Sequence, residues 1–180
     1  MSKDEGRLIQ RAKKGDPSAF AELYDRYQPA IYRYIFYRVG DVATAEDLTG
    51  EVFVRLVEKI DRFAYRGRPL LAWLYTIARN LVMDYHRQAG RSLPLSFDRR
   101  LATEATDPEE AVERRLTQRR VAAAIARLTE GQRQVILLKF IEGLDNETTA
   151  RTLGKSIGAV KALQHRALAA LRRILERNGG

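Results

Sequence analysis

Lys161, Ala162, His165 and Arg166 stand at i, i+1, i+4 and i+5, a spacing that puts all four on one outward face of a helix. Two cations and an imidazole on one face can reach the phosphates and base edges of a nucleic acid. The helix that must carry them opens at Ser156, a residue type that caps helix N-termini. Gly158 and Ala159 keep its first turn slim, so backbone N–H groups and the positive end of the helix dipole can approach a phosphate. Ile157, Val160, Leu168 and Leu171 are expected on its inner side. Before it, Asp145 caps a shorter helix with Ala150 and Leu153 turned inward, and Gly154 supplies a tight turn. The pattern is a helix-turn-helix, whose second helix lies in a DNA groove. A bare solvated basic face on a packing helix is the competing reading. His165 is no metal ligand, because no carboxylate or second histidine follows at i+3 or i+4.

A second constellation lies earlier. In "RFAYRGRPLLAW", Phe63, Tyr65, Arg66 and Arg68 surround Gly67 and Pro69. The following helix, read as Leu71 to Arg87, puts Leu71, Leu74, Ala78, Leu81 and Tyr85 inward. Trp73, Thr76, Asn80, Met83 and Arg87 form a second face, with Arg79 adjacent. Aromatic and cationic groups around a turn suit single-stranded nucleic acid, because aromatic faces stack on exposed bases while cations track the backbone. A base taken out of a duplex needs such a pocket. Phe63 and Trp73 are assigned to the core; Arg66, Asn80 and Arg87 are assigned to nucleic acid. Elsewhere Asp47, Glu51 and Glu58 project away from a Leu48, Val52, Leu56, Ile60 stripe, with Phe53 and Val54 outside it. An acidic face on a basic protein points to a protein partner.

Charge supports this division. The 180 residues carry 32 basic and 23 acidic side chains, net +9, which steers the chain toward polyanions. Residues 1–87 are net +3, residues 88–112 net −2 and residues 113–180 net +8. Apolar spacing is helical throughout, and no alternating run suggests a strand, so the fold class is all-α. Asp16 caps a helix with Pro17 at its first position; Phe20, Leu23, Tyr24 and Tyr27 form one face. Pro29 is expected to interrupt or restart it, after which Ile31, Tyr34, Ile35 and Arg38 lead to a stop at Gly40. Thr44, with Asp47 three residues on, is expected to cap the next helix. Periodicity fails over 88–112, a linker between domains at 1–87 and 113–180. In the latter, Val121, Ala124, Ile125, Leu128, Val135, Leu138 and Ile141 continue a core. Cysteine is absent, which excludes disulfides and thiolate sites. No signal peptide or membrane-length apolar run is visible, so a cytoplasmic chain is expected. No metal cluster, nucleophile–base pair or glycine-rich phosphate loop is present, and Asp84 with His86 is too slight to carry catalysis. Neither enzyme activity nor a cofactor is expected.

These residues resemble one family, the extracytoplasmic-function (ECF) sigma factors of bacterial RNA polymerase, from "LIQRAKKGDPSAFAELYDRY" to "LAALRR". "AEDLTGEVFVRL" is similar to the helix that docks on the polymerase clamp helices, which gives Asp47, Leu48, Glu51, Val52 and Phe53 a core-enzyme role. "WLYTIARNLVMDYHR" resembles the segment that recognises and melts the minus-ten element, with the preceding turn receiving a flipped base. Tyr65, Arg66, Arg79, Asn80 and Arg87 are its implied DNA residues. "GLDNETTARTLGKSIGAVKALQHRAL" resembles the reader of the minus-thirty-five element, implying Ser156, Lys161, Ala162, His165 and Arg166. The chain has Leu163 where the family commonly has arginine, Gln164 where it has leucine, and Thr149 where an aliphatic residue is usual. The resemblance implies core RNA polymerase and promoter DNA as partners, an anti-sigma factor between the domains, and no small-molecule substrate. An autonomous helix-turn-helix regulator and a helical adaptor are the rival readings; the first predicts tight duplex binding without polymerase.

Overall fold

The computed structural model describes residues 2–64, 69–89 and 107–179. Eight α-helices run in chain order among them, and no strand: α1 (Lys3–Lys13), α2 (Pro17–Val39), α3 (Val42–Lys59), α4 (Leu70–Ala89), α5 (Pro108–Ala126), α6 (Glu130–Ile136), α7 (Asn146–Leu153) and α8 (Ile157–Asn178). A 3₁₀ turn, Ile60–Arg62, follows α3, and a π turn, Leu137–Ile141, continues α6.

Helices α2, α3 and α4 pack on one another, and α1 lies along α2. Their shared core includes Leu23, Ile31, Ile35, Val52, Leu56, Leu74 and Ala78, all essentially inaccessible. Local chemistry fixes the helix starts. Asp16 accepts a hydrogen bond from the Ser18 N–H, with Pro17 at the first helical position where a missing N–H costs little. Gly40 ends α2 at φ 73, a conformation that favours glycine. Two local expectations are corrected. Helix α2 runs unbroken through Pro29, because Pro29 and Asp25 are both exposed and the Asp25 carbonyl deprived of its helical donor faces water. Helix α3 is capped by Asp41, whose carboxylate accepts from both the N–H and the hydroxyl of Thr44, so Thr44 is the third residue of the helix and not its cap. Helix α1 lies where the sequence suggested only a charged terminus. Ser2 caps it, and Leu8, Ile9 and Ala12 fill one side.

In the C-terminal half, Thr129 and Gln132 form a reciprocal capping box at α6. Asp145 caps α7, and Gly154 closes it at φ 65. Ser156 caps α8 by accepting from the Ala159 N–H at 3.1 Å. The inner stripe of α8 differs from expectation. Ile157 and Leu168 are 44% and 41% exposed, and the buried positions are Val160 and Ala167, with Leu163, Leu171 and Ile174 half-buried beside them. Spacings of three and four from Val160 carry the stripe round the helix away from Leu168.

The halves are not held apart. Helix α7 packs on α4, the π turn packs on α2, and the apolar cluster of α2–α4 continues into Ile125, Leu128 and Ile136–Leu138.

Candidate nucleic-acid interface

The two recognition surfaces stand in different states. On α8, Lys161, Ala162, His165 and Arg166 are all exposed. Gly158 has open space where a side chain would go, with the Ser156 hydroxyl oxygen 4.0 Å away as its nearest neighbour. Packing within the chain therefore does not require a glycine there, although it weakens the helix by roughly 1 kcal/mol relative to alanine. Leu163 lies inward and would touch a Cβ on Gly131 of α6 at 3.5 Å. Leucine at this position thus fastens α8 to α6.

On α4 the outward row is as expected: Asn80 and Arg87 are exposed, Met83 is 38% exposed, and Trp73 and Thr76 are half-buried. Phe63 and Trp73 lie with ring centroids 5.3 Å apart, and Phe63 is buried, as befits core residues. Tyr65 and Arg66 lie outside the described residues. Arg87 pairs with Asp84 at 2.7 Å on the same helix. Arg79 points instead toward the C-terminal half, its Nε 3.5 Å from the Glu130 carboxylate.

That carboxylate is the centre of a charge cluster absent from the sequence reading. Arg38, only 1% exposed, donates through Nη2 to both Glu130 oxygens at 2.9 and 3.1 Å, and through Nη1 to the Tyr34 hydroxyl at 3.0 Å. Tyr34 donates in turn to the Gln134 side-chain oxygen at 2.8 Å, and Arg133 approaches Glu130 at 3.4 Å. Burial alone would raise the Glu130 pKa; Arg38, the Gln134 amide, Arg133 and Arg79 outweigh it and hold the group below its ordinary value. His86 bonds the Arg38 carbonyl through Nε2 at 2.9 Å, and burial pushes its pKa down. A second pair, Arg33 with Glu142 at 2.9 Å, crosses the same junction; burial raises the Glu142 pKa against the pull of Arg33. The junction retains a cleft of about 190 Å³ lined by Tyr27, Leu71 and Tyr75 on one side and by Leu144, Thr148 and Thr152 on the other.

The acidic surface of α3 exposes Asp47, Glu51 and Glu58, with Leu48 half-buried. Val52 is wholly buried, and Phe53, 7% exposed, meets the Tyr24 ring edge-on at 4.9 Å. The apolar groups presented beside the carboxylates are Val54 and Val57, 54% and 53% exposed. Among the described residues no cluster of metal-ligating side chains occurs, and no helix is long and apolar enough to cross a membrane.

Two promoter-factor descriptions match the chain in order: Sigma-70 region 2 over residues 23–92 and Sigma-70, region 4 over residues 118–171. The ECF RNA polymerase sigma factor BldN of Streptomyces coelicolor is 43% identical over 170 residues. That alignment covers 93% of this chain and 64% of BldN, so the chain spans under two thirds of that relative's length. SigW of Bacillus subtilis, another ECF RNA polymerase sigma factor, is 32% identical over 179 residues, with 94% of this chain and 95% of SigW covered. The chain belongs to the ECF sigma factors. The solved structure of CnrH in complex with the cytosolic domain of CnrY is similar to this sigma factor, with 27% identity, a TM-score of 0.72 and coverage of 94% and 96% of the two chains. Region 2 of this sigma factor spans most of α2 through α4, and region 4 runs from within α5 to within α8. The Glu130 cluster therefore joins the two regions.

Proposed function

We propose that the protein is an alternative sigma factor that binds core RNA polymerase, recognises promoter DNA at two elements and helps to open it, while the polymerase performs the nucleotidyl transfer. The observation that carries this is the ordered pair of recognition helices: α4, with Asn80 and Arg87 outward, and α8, with Lys161, His165 and Arg166 outward. On this reading residues 1–87 take the core enzyme and the minus-ten element, residues 88–112 link, and residues 113–180 take the minus-thirty-five element. Tyr65, Arg66, Arg79, Asn80 and Arg87 serve the melted strand. Ser156 offers its helix N-terminus to a phosphate, and Lys161, Ala162, His165 and Arg166 face the major groove. Asp47 and Glu51 meet the polymerase directly, Leu48 at the edge of that face, while Val52 and Phe53 hold it from beneath. The protein has no catalytic group of its own and works in the cytoplasm with the polymerase. The complex of CnrH with a second protein supports a regulatory partner of the anti-sigma kind for this chain too.

The test is reconstituted transcription. Core polymerase plus the purified chain should give start sites on genomic DNA of the source that core alone does not, and Asp47→Lys with Glu51→Lys should abolish them. Absence of any chain-dependent transcript overturns the reading.

A further inference from the structure

The promoter reading raises a geometric problem. The names of the two elements place them about 25 base pairs apart, ~85 Å of duplex at about 3.4 Å per base pair. Here α7 packs on α4 and α8 packs on α7, so the two recognition helices are separated by roughly two helix diameters, ~20 Å. No single straight duplex meets both in this arrangement. The halves must separate, and what holds them is on the page.

We propose that this packed form is autoinhibited, with Glu130 of the C-terminal half occupying, in place of a DNA phosphate, an anion site formed by Arg38 and Arg79 of the N-terminal half. The inference rests on the promoter-factor reading and adds a site to it. Arg79 is a flank of the α4 DNA face, adjacent in sequence to the exposed Asn80. Arg38 is tied to that helix through its carbonyl, which is hydrogen-bonded to His86. A carboxylate gripped by one guanidinium at 2.9 and 3.1 Å and approached by another at 3.5 Å has the charge and the planar oxygen pair of a phosphate edge. Within its own half Arg38 retains only the Tyr34 hydroxyl as side-chain partner, and Tyr34 itself leans on Gln134 across the junction. Separation therefore strips Arg38 of its carboxylate and leaves a cation beside the strand-reading surface. DNA and Glu130 compete for the same two arginines. The Arg33 to Glu142 pair closes the joint at a second point without touching that site.

The chain contains no cysteine, so a fluorescent pair can be attached at Ala21→Cys on α2 and Ala169→Cys on α8, both exposed positions. Energy transfer in the full chain then reports closure, and anisotropy of a labelled single-stranded DNA of about 30 nucleotides, several site sizes long, reports binding. Glu130→Gln should lower transfer and tighten DNA binding by ~10-fold relative to Glu109→Gln, which makes the same charge change on exposed α5; coupling of that size is ordinary for linked sites. Arg33→Glu should also lower transfer, and Arg33→Glu with Glu142→Arg should restore it. In the wild-type chain, adding the DNA should itself lower transfer. The proposal is overturned if transfer is unchanged in Glu130→Gln. Opening without a gain in DNA affinity over Glu109→Gln, or no binding by either chain, overturns it equally. If Glu130→Gln does not fold, the wild-type titration decides: DNA binding at constant transfer refutes competition. No polymerase enters these measurements. A chain that supports promoter-dependent transcription but shows no such linkage loses the lock alone, and one that shows the linkage but no transcripts loses the sigma reading.

Discussion

Helices α4 and α8 carry the two surfaces that read DNA, yet one is half engaged by its own chain and the other is free. The α8 face shows Lys161, His165 and Arg166 to solvent, with only Ser156, Ala159 and the inward Val160, Leu163 and Ala167 committed to structure. The α4 face keeps Asn80 and Arg87 outward but gives Arg79 to Glu130 and part of its first turns to α7. The duplex reader is therefore ready before polymerase arrives, and the single-strand reader is withheld. Exposed bases exist only after melting, so a reader of exposed bases loses nothing by being covered until then.

The largest way to break this asymmetry is to remove the acid that creates it. Glu130→Ala leaves the wholly buried Arg38 without its carboxylate, a loss of about 3 kcal/mol, at the low end of what stripping a partner from a buried charge costs. Calorimetry should show the single unfolding transition of the parent chain divided into two as the halves decouple. Acid should act in the same direction. Arg38, Arg79 and Arg133 face Glu130, with Tyr34 and His86 alongside, and the closed form holds its pKa below the ordinary 4.5. Its contribution to closure is complete above 4.5 and disappears as pH falls through the lowered value. His86, also lowered, adds a milder loss that begins below its ordinary 6.5. Glu130→Gln should lack the more acidic limb and keep the milder one; an unchanged acid profile would remove Glu130 from the lock.

A smaller effect sharpens the contrast. Arg166→Ala and Lys161→Ala should each weaken binding to a minus-thirty-five duplex by about 1–3 kcal/mol, the worth of a base contact in the major groove. Arg79→Ala should change single-strand affinity of the isolated chain far less, because that guanidinium is already spoken for. Gel shifts with the isolated chain separate the two, and equal losses at Arg79 and Arg166 would mean that α4 is not withheld.

The helices, their caps at Asp16, Asp145 and Ser156, and the outward row of α8 were legible because capping and periodicity are local. Thr44 was taken as a cap because the capping-box spacing to Asp47 imitates one, while Asp41, three residues earlier, does the work. Pro29 was taken as a break because sequence alone does not say that the deprived carbonyl faces water. The junction was illegible for a different reason. Arg38 fell on an inward stripe with Ile31, Tyr34 and Ile35, a hint that a buried cation needed an acid, but the acid is 92 residues away. The lone signal on the other side was that Glu130 and Glu142 are two of only six carboxylates in a half with fourteen cations. The linkage of charges to a docking interface emerges only when the fold brings the stripe and those acids together.

The smallest effect concerns the helix that lies between the two readers. Thr149 of α7 is completely buried, and its hydroxyl has no hydrogen-bond partner. Hydroxyls in helices often bond the carbonyl four residues back, but the Asp145 carbonyl here is taken by the Thr149 N–H at 2.9 Å, and the side chain makes no bond of its own. An unpaired buried hydroxyl costs roughly 1–3 kcal/mol. Valine keeps the branched shape and removes the polar atom, so Thr149→Val should stabilise the chain by about 1 kcal/mol and raise Tm by ~2–4 °C, as expected for a protein of this size. Serine keeps the hydroxyl and loses the methyl, so Thr149→Ser should move Tm the other way. Since Thr149 touches neither reading face, promoter binding by the holoenzyme should be the same in both variants. A gain in Tm accompanied by weaker duplex binding would show that α7 must yield when the halves part, and that the unpaired hydroxyl keeps it able to do so.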